Sequence, residues 1–371
     1  MRRFTALFVA IVVASMLSAC GLGTAPGTSS DPTKSSSALL TPAAFTSGDA
    51  FSLLPAGDVV MTIDAGTLLN TTIPQILANS PKEKDEFDKG LKEMQDKSSI
   101  DPKQIKLVAM SMTIPKGGAG KAEFAGVITG SWDSAKLAES LKKDPKTNAD
   151  RPTEQYEGQT IIVNNTSGEE MGAVVLDSTT LLLGSPVAMV KKAVDAKMGK
   201  GDTAAKDADL LAAFKSTKET ATLRFAMKVP KEQLANESED IAKHFAATKI
   251  LFGSLDAASG LGIELVARTG SEAEAKPIHE DLTKLLDQGK QMMAGNEQMK
   301  SVETLLNSIS LTLNGPDVKL AMNVPQSTIQ DVAKSFGAFA GGMMGGPGGP
   351  GPSDMGDMEK EGEAPGMGSS K

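Results

Sequence analysis

Hydrophobic and polar positions divide this chain into an apolar start, two polar ends and a patterned middle. Phe4 to Met16 is almost wholly apolar. Gly21 to about Ser37 is Gly, Thr, Ser, Pro and Asp with almost no large apolar residue, so it cannot fold alone and reads as a tether. At the other end, residues 341–371 carry repeated Gly and Pro with Met343, Met344, Met355, Met358 and Met367, and read as a disordered low-complexity tail.

The middle alternates between the two structural periods. Asp58 to Asp64 reads as a strand, Thr67 to Ala78 as an irregular helix, and Lys82 to Asp96 as a helix entered at Pro81. Ile105 to Ile114 and Ala122 to Gly130 are β runs separated by Pro115-Lys116-Gly117-Gly118, a hairpin-like break. Asp133 or Ser134 then caps a helix over Ala135 to Lys143, whose basic end suits the negative pole of the helix dipole. Gln159 to Asn164, Gly172 to Leu176 and Thr179 to Leu183 add three strands, and Pro186 opens a helix that ends near Gly199.

The second half repeats the order. A strand over Ala221 to Val229 leads to a helix from Lys231 to about Lys249, then to β runs at Leu251 to Ala257 and Leu261 to Arg268. A helix from Ser271 to Met293, strands at Leu306 to Leu313 and Asp317 to Val324 around Asn314-Gly315-Pro316, and a helix from Gln326 to Phe339 complete it. Gly130-Ser131 with Ala135-Lys136 matches Gly270-Ser271 with Ala275-Lys276, each pair joining a strand to a helix, which suggests an internal repeat.

This pattern predicts an α+β protein of two similar modules, each a mainly antiparallel sheet with helices on one face. The boundaries are a signal peptide at 1–19, a lipidated N-terminus and flexible tether at 20–50, modules at 51–202 and 203–340, and the tail at 341–371. A tether of thirty residues holds the body at an r.m.s. distance of about 30 Å from its anchor.

The start of the chain carries the most specific signal. Met1-Arg2-Arg3, the apolar run and the small residues before Cys20 have the three-part layout of a secretory signal. The run is shorter than the ~20 residues a membrane-spanning helix needs. Leu17-Ser18-Ala19-Cys20 resembles the lipobox of bacterial lipoproteins, and that resemblance implies acylation of Cys20 and cleavage before it. Two or more acyl chains meet the requirement for stable anchoring, which one chain does not. Arg2-Arg3 also allows a twin-arginine reading, which ranks second because the apolar segment begins at once. By the same resemblance, uncharged Gly21 after the cysteine implies sorting to the outer membrane, with the body facing the periplasm.

Charge and composition narrow the partners. Without residues 1–19 the chain has 36 basic residues against 46 acidic ones, a formal charge of −10, and such a surface repels nucleic acid and anionic headgroups. Mixed runs such as Lys82-Glu83-Lys84-Asp85-Glu86 read as solvated helix faces. One Trp and one Tyr leave little for stacking on bases or sugars. Cys20 is the only cysteine, so no internal disulfide can form.

The stretch from Phe51 to Gly199 also resembles an uncharacterised family of bacterial exported proteins. Leu54-Pro55-Ala56-Gly57-Asp58 before the first strand, Ile100-Asp101-Pro102 before Leu107-Val108-Ala109, Phe124 to Trp132 with Asp133, Tyr156-Glu157-Gly158, and Leu181 to Ser185 carry the likeness. The tryptophan which that family places near the first strand is absent. No activity is established for the family, so the likeness implies fold and location only.

Candidate chemistry is thin. His244 and His279 are separated by 34 residues, and His279-Glu280-Asp281 are consecutive, which on a helix puts them on different faces. Ser140-Leu141-Lys142-Lys143 has the Ser-x-x-Lys spacing of penicillin-binding enzymes, but the serine falls in the last helical turn and the companion Lys-Thr-Gly element is missing. Asp256 to Glu264 has the length of a calcium loop without its carboxylates. The tail methionines offer thioethers to Cu(I) with no histidine or cysteine beside them, and Met110 and Met112 read as core. The sequence therefore predicts no catalytic residue, cofactor or metal. It favours a non-catalytic envelope lipoprotein with an interaction or structural role and the membrane as partner through Cys20. A carrier of an apolar ligand or lipid is the alternative, and an envelope hydrolase comes third. A deep apolar cavity would favour the carrier, a flat packed interior the interaction protein, and a cleft with paired perturbed carboxylates the enzyme.

Overall fold

The computed structural model describes residues 46–325, apart from 80, 99, 116–119, 145–146, 166–169, 232–244, 258–259 and 294–299. The expected signal peptide, Cys20, the expected tail and the expected helix at 326–339 lie outside the described residues, as does most of the one at 231–249.

The first described element is a helix, α1 (Ser47–Leu53), started by a capping box in which the Thr46 hydroxyl accepts from the Asp49 N–H and the Asp49 carboxylate accepts from the Thr46 N–H. Ala50 and Phe51 are fully buried. This corrects the tether boundary expected at residue 50: residues 46–50 already belong to the folded body. The preceding Gly/Ser-rich composition hid a short helix whose apolar side is the Ala50–Phe51 pair.

Twelve strands follow: β1 (Val59–Asp64), β2 (Leu107–Thr113), β3 (Glu123–Thr129), β4 (Thr153–Tyr156), β5 (Gln159–Asn164), β6 (Met171–Val175), β7 (Thr180–Ser185), β8 (Leu223–Lys228), β9 (Ile250–Asp256), β10 (Gly260–Arg268), β11 (Ile309–Asn314) and β12 (Asp317–Pro325). The helices are α2 (Pro81–Ser98), α3 (Ser134–Lys142), α4 (Val187–Lys197), α5 (Ala208–Lys215), α6 (Glu272–Met293) and α7 (Lys300–Asn307). Residues 65–79 form an irregular run of short helical turns, as expected from the sequence.

The class is α+β with antiparallel pairing throughout, as the pattern predicts. The structure adds that both halves share one sheet. Its order is β11-β12-β10-β9-β8-β1-β2-β3-β7-β6-β5-β4, and the halves join where β1 pairs with β8, Met61 opposite Phe225. Read outward from that seam, β1-β2-β3-β7-β6 on one side corresponds to β8-β9-β10-β12-β11 on the other. Gly130 and Gly270 each stand between the third strand of their half and its helix, which is the topology a duplication requires.

Helices cover both faces of the first half rather than one. Val60, Ala109, Val127, Ile161 and Leu182 pack with α1, α4 and α5 on one face. Met61, Ile63, Val108, Met110, Ile128 and Leu181 pack with Trp132 and with Leu137 and Leu141 of α3 on the other. The sequence carries a trace of this, because Leu181-Leu182-Leu183 is a continuous apolar run, the mark of a strand buried on both sides. Ile309-Ser310-Leu311-Thr312-Leu313-Asn314 instead alternates, and its strand, β11, is covered by α6 on one side.

Three local expectations change. Thr153–Tyr156 was not predicted as a strand because it lacks apolar alternation. It forms through a two-residue hairpin turn at Glu157 and Gly158, φ 49° and 74°. Residues 300–307 are helical, so β11 starts at Ile309 and not at Leu306: Val302, Leu305 and Leu306 form a stripe at helical spacing that packs with α6 and β11. Finally, α5 occupies part of the link between halves, with Asp207 as its N-cap accepting from the Leu210 N–H.

Candidate functional site

The face that carries Ile63, Val108, Ile128, Leu181 and Ala173 is not closed over completely. These side chains form the floor of a cavity of about 170 Å³ beneath a cover drawn from four separate segments. Leu68 and Leu69 come from the irregular run at 65–79, Met94 from α2, Ile100 and Pro102 from the link into β2, and Leu141 from α3. Asp64 starts this cover, its carboxylate accepting from the Thr67 N–H at 2.8 Å and from the Thr67 hydroxyl at 2.7 Å. The helix beyond it relaxes from α into a π turn at Leu68–Thr72 and tightens again at Leu77–Asn79. A bulged turn of this kind often stands at a functional site, since it displaces side chains from regular spacing.

Only Arg151 and Asn164 among the lining residues are polar. Such a lining repels water, because a water molecule needs two or more polar partners to be held. A cavity of about 150 Å³ lined by aliphatic and aromatic side chains stays dry and takes up benzene. At about 24 cal/mol per Å³, volume of this size that the protein's own side chains do not fill costs on the order of 4 kcal/mol. Roughly five buried methylenes, at about 0.8 kcal/mol each, offset that cost.

The residues singled out from sequence do not meet in one place. Ser140 lies in the last turn of α3, and Lys143 just beyond it is ion-paired with Asp150 at 2.7 Å, which raises the lysine's pKa above its ordinary value. His279 is half-buried on α6, and His244 lies outside the described residues. Asp256 and Glu264, the ends of the calcium-loop-length stretch, stand on β9 and β10 and pair with Lys218 and Lys319. Met110 is buried and Met112 half-buried in the core. Among the described residues no group of three or more His, Cys, Asp or Glu side chains is placed to hold a metal, and no helix is long and apolar enough to cross a membrane.

Among the described residues, groups whose titration is shifted lie in ion pairs, helix caps, one phenol–carboxylate contact and the Arg224 guanidinium, which burial lowers, rather than in the cavity. Asp133, the N-cap of α3, is lowered chiefly by the Lys136 N–H. Arg268 is raised by Asp317, which takes its Nε and Nη2 donors at 2.8 Å each. Nothing in this arrangement conflicts with a non-catalytic role.

Nothing in the sequence marked Arg151, and Ile100, Pro102 and Leu141 carried no sign there that they would line a cavity. The one available signal was the run of strands apolar on both faces, which requires cover on both sides but does not say where that cover stands off.

A scan against protein-family models finds no match, and neither does a search of curated proteins. Among solved structures, crystal form I of TP0453 is similar over 77% of this chain and 97% of that one, at 10% identity and a TM-score of 0.41. So distant a likeness says nothing about what either protein binds.

Proposed function

We propose that this protein is a non-catalytic binder of an apolar ligand, held in the cavity of the first half, and that it works from the cell envelope on an acyl anchor at Cys20. The alternative ranked second from sequence thus becomes the preferred one. The single observation that carries it is the lining, in which a floor from six strands and a cover from four separate segments leave volume bounded almost entirely by carbon. A purely structural or interaction role does not call for such a volume, since natural interiors close to the density of organic crystals. Cleavage of the signal, outer-membrane residence and a periplasmic orientation belong to the same proposal. They rest on Leu17-Ser18-Ala19-Cys20 and Gly21.

The test is calorimetric titration of the purified full chain, in detergent-free buffer, with dodecanol. Saturable binding near one equivalent is expected, and Ala173→Leu, which extends the floor into the cavity, abolishes it while the protein stays folded by circular dichroism. Binding that is undiminished in Ala173→Leu places the alcohol elsewhere and overturns the assignment.

A further inference from the structure

One wall of the cavity is chemically out of character with the rest. Arg151 follows α3 and is tied to its last turn: its N–H donates to the Lys142 carbonyl at 2.7 Å, and Nη1 donates to the Leu141 carbonyl at 3.0 Å. These contacts suit a cation at a helix C-terminus. They leave the other edge of the guanidinium unused. Nε and Nη2 are buried and have no hydrogen-bond partner among the described residues, although the side chain lines an apolar cavity.

That edge is the one a guanidinium offers to a two-oxygen acceptor. The same molecule shows what it does when an acceptor is present, because Nε and Nη2 of Arg268 each donate at 2.8 Å to the two carboxylate oxygens of Asp317. Buried donors without an acceptor carry the full desolvation penalty, larger for a charged group than for a neutral one. Asp150, the acidic residue next to Arg151 in sequence, is engaged by Lys143. The protein therefore presents a cation at the wall of a cavity whose one other polar lining residue is Asn164.

We propose that the ligand is a single-chain amphiphile with an anionic head: its alkyl chain enters the apolar cavity and its oxyanion takes the Nε and Nη2 donors of Arg151. This rests on the apolar-ligand reading above and adds the chemistry of the head. A volume of about 170 Å³ is enough for the end of one alkyl chain. A carboxylate and a phosphate monoester satisfy the same two donors, so a fatty acid and a lysophospholipid are both sources of this chemistry.

The experiment titrates the full chain calorimetrically with laurate, dodecyl phosphate and dodecanol, each below its aggregation threshold, in wild type, Arg151→Gln and Arg151→Lys. In wild type at least one anion binds roughly tenfold or more tightly than dodecanol, the worth of a charge-assisted hydrogen bond. The tighter of the two anions identifies the head. Arg151→Gln removes that preference and leaves dodecanol unchanged, while Arg151→Lys keeps part of it, since a point charge lacks the paired donors. Equal affinity of wild type for all three probes overturns the head-group inference and leaves the apolar cavity standing. An equal loss for all three in Arg151→Gln means that Arg151 only holds the end of α3, which also overturns it. No binding of any probe to wild type overturns the cavity reading itself.

Discussion

Phe51 of α1 and Phe214 of α5 meet edge to face, ring centroids 4.8 Å apart and planes at 85°. Both rings are essentially inaccessible, and Arg224 of β8 stacks over Phe214 at 4.3 Å while donating to the Phe214 carbonyl and the Thr217 hydroxyl. One ring belongs to the first described helix and the other to the link between halves. Their contact ties the start of the body to the seam of the sheet. Phe51→Ala and Phe214→Ala are each expected to cost about 3–5 kcal/mol in urea unfolding. A double-mutant cycle should return a coupling of about 0.5–1.5 kcal/mol. A neutral Phe51→Ala would mean that α1 is part of the tether after all.

The Asp207 carboxylate caps α5 and pairs with Lys228 of β8. Burial alone raises its pKa, but the Lys228 ammonium and the Leu210 N–H outweigh that and hold it below the ordinary carboxylate value. A depressed carboxylate contributes stability that is present above its unfolded pKa and lost as pH falls through the folded one. Asp207→Asn retains the capping oxygen and removes the charge. It should destabilise by about 1 kcal/mol at pH 7, with the difference from wild type shrinking below about pH 4. A difference that stays constant across that window would mean the ion pair contributes nothing.

Tyr156 of β4 donates its hydroxyl to the Asp195 carboxylate of α4 at 2.9 Å. That hydrogen bond, with burial and the carboxylate's charge behind it, raises the phenol above its ordinary value of 10.0. The stabilisation is complete below the unfolded phenol value and disappears as pH rises through the folded one. Because this is the only tyrosine, phenolate absorbance reads it alone. Asp195→Asn should move the titration midpoint downward, toward that of a free tyrosine. An unmoved midpoint would show that the contact does not persist in solution.

Labelling cells with a clickable fatty acid tests the anchor. Wild type should take up the label and Cys20→Ser should not, since the acyl acceptor is gone. Label retained in Cys20→Ser would sink the lipobox assignment. Envelope fractionation of wild type on a sucrose gradient then tests outer-membrane residence, and sedimentation with inner-membrane markers would overturn it.

By itself, the sequence determined where the chain changes direction and which period each segment follows. Asp133 ahead of an apolar stripe, the glycine break after Pro115 and the Asn314-Gly315 turn act within a few residues, so their effects are local and legible. The α+β class and antiparallel pairing follow from them. Only the tertiary structure decided that β1 and β8 zip the two halves into one sheet, because strand pairing across some 160 residues depends on register and not on local preference. It also decided the cavity. A wall contributed by residues as distant as Leu68, Met94, Leu141 and Arg151 has no periodic trace, and a volume left unfilled depends on how far a cover stands from a floor. Arg151 reads in sequence as one more surface cation before a proline. Only the fold buries two of its donors beside the cavity, where donors without an acceptor become a statement about the ligand.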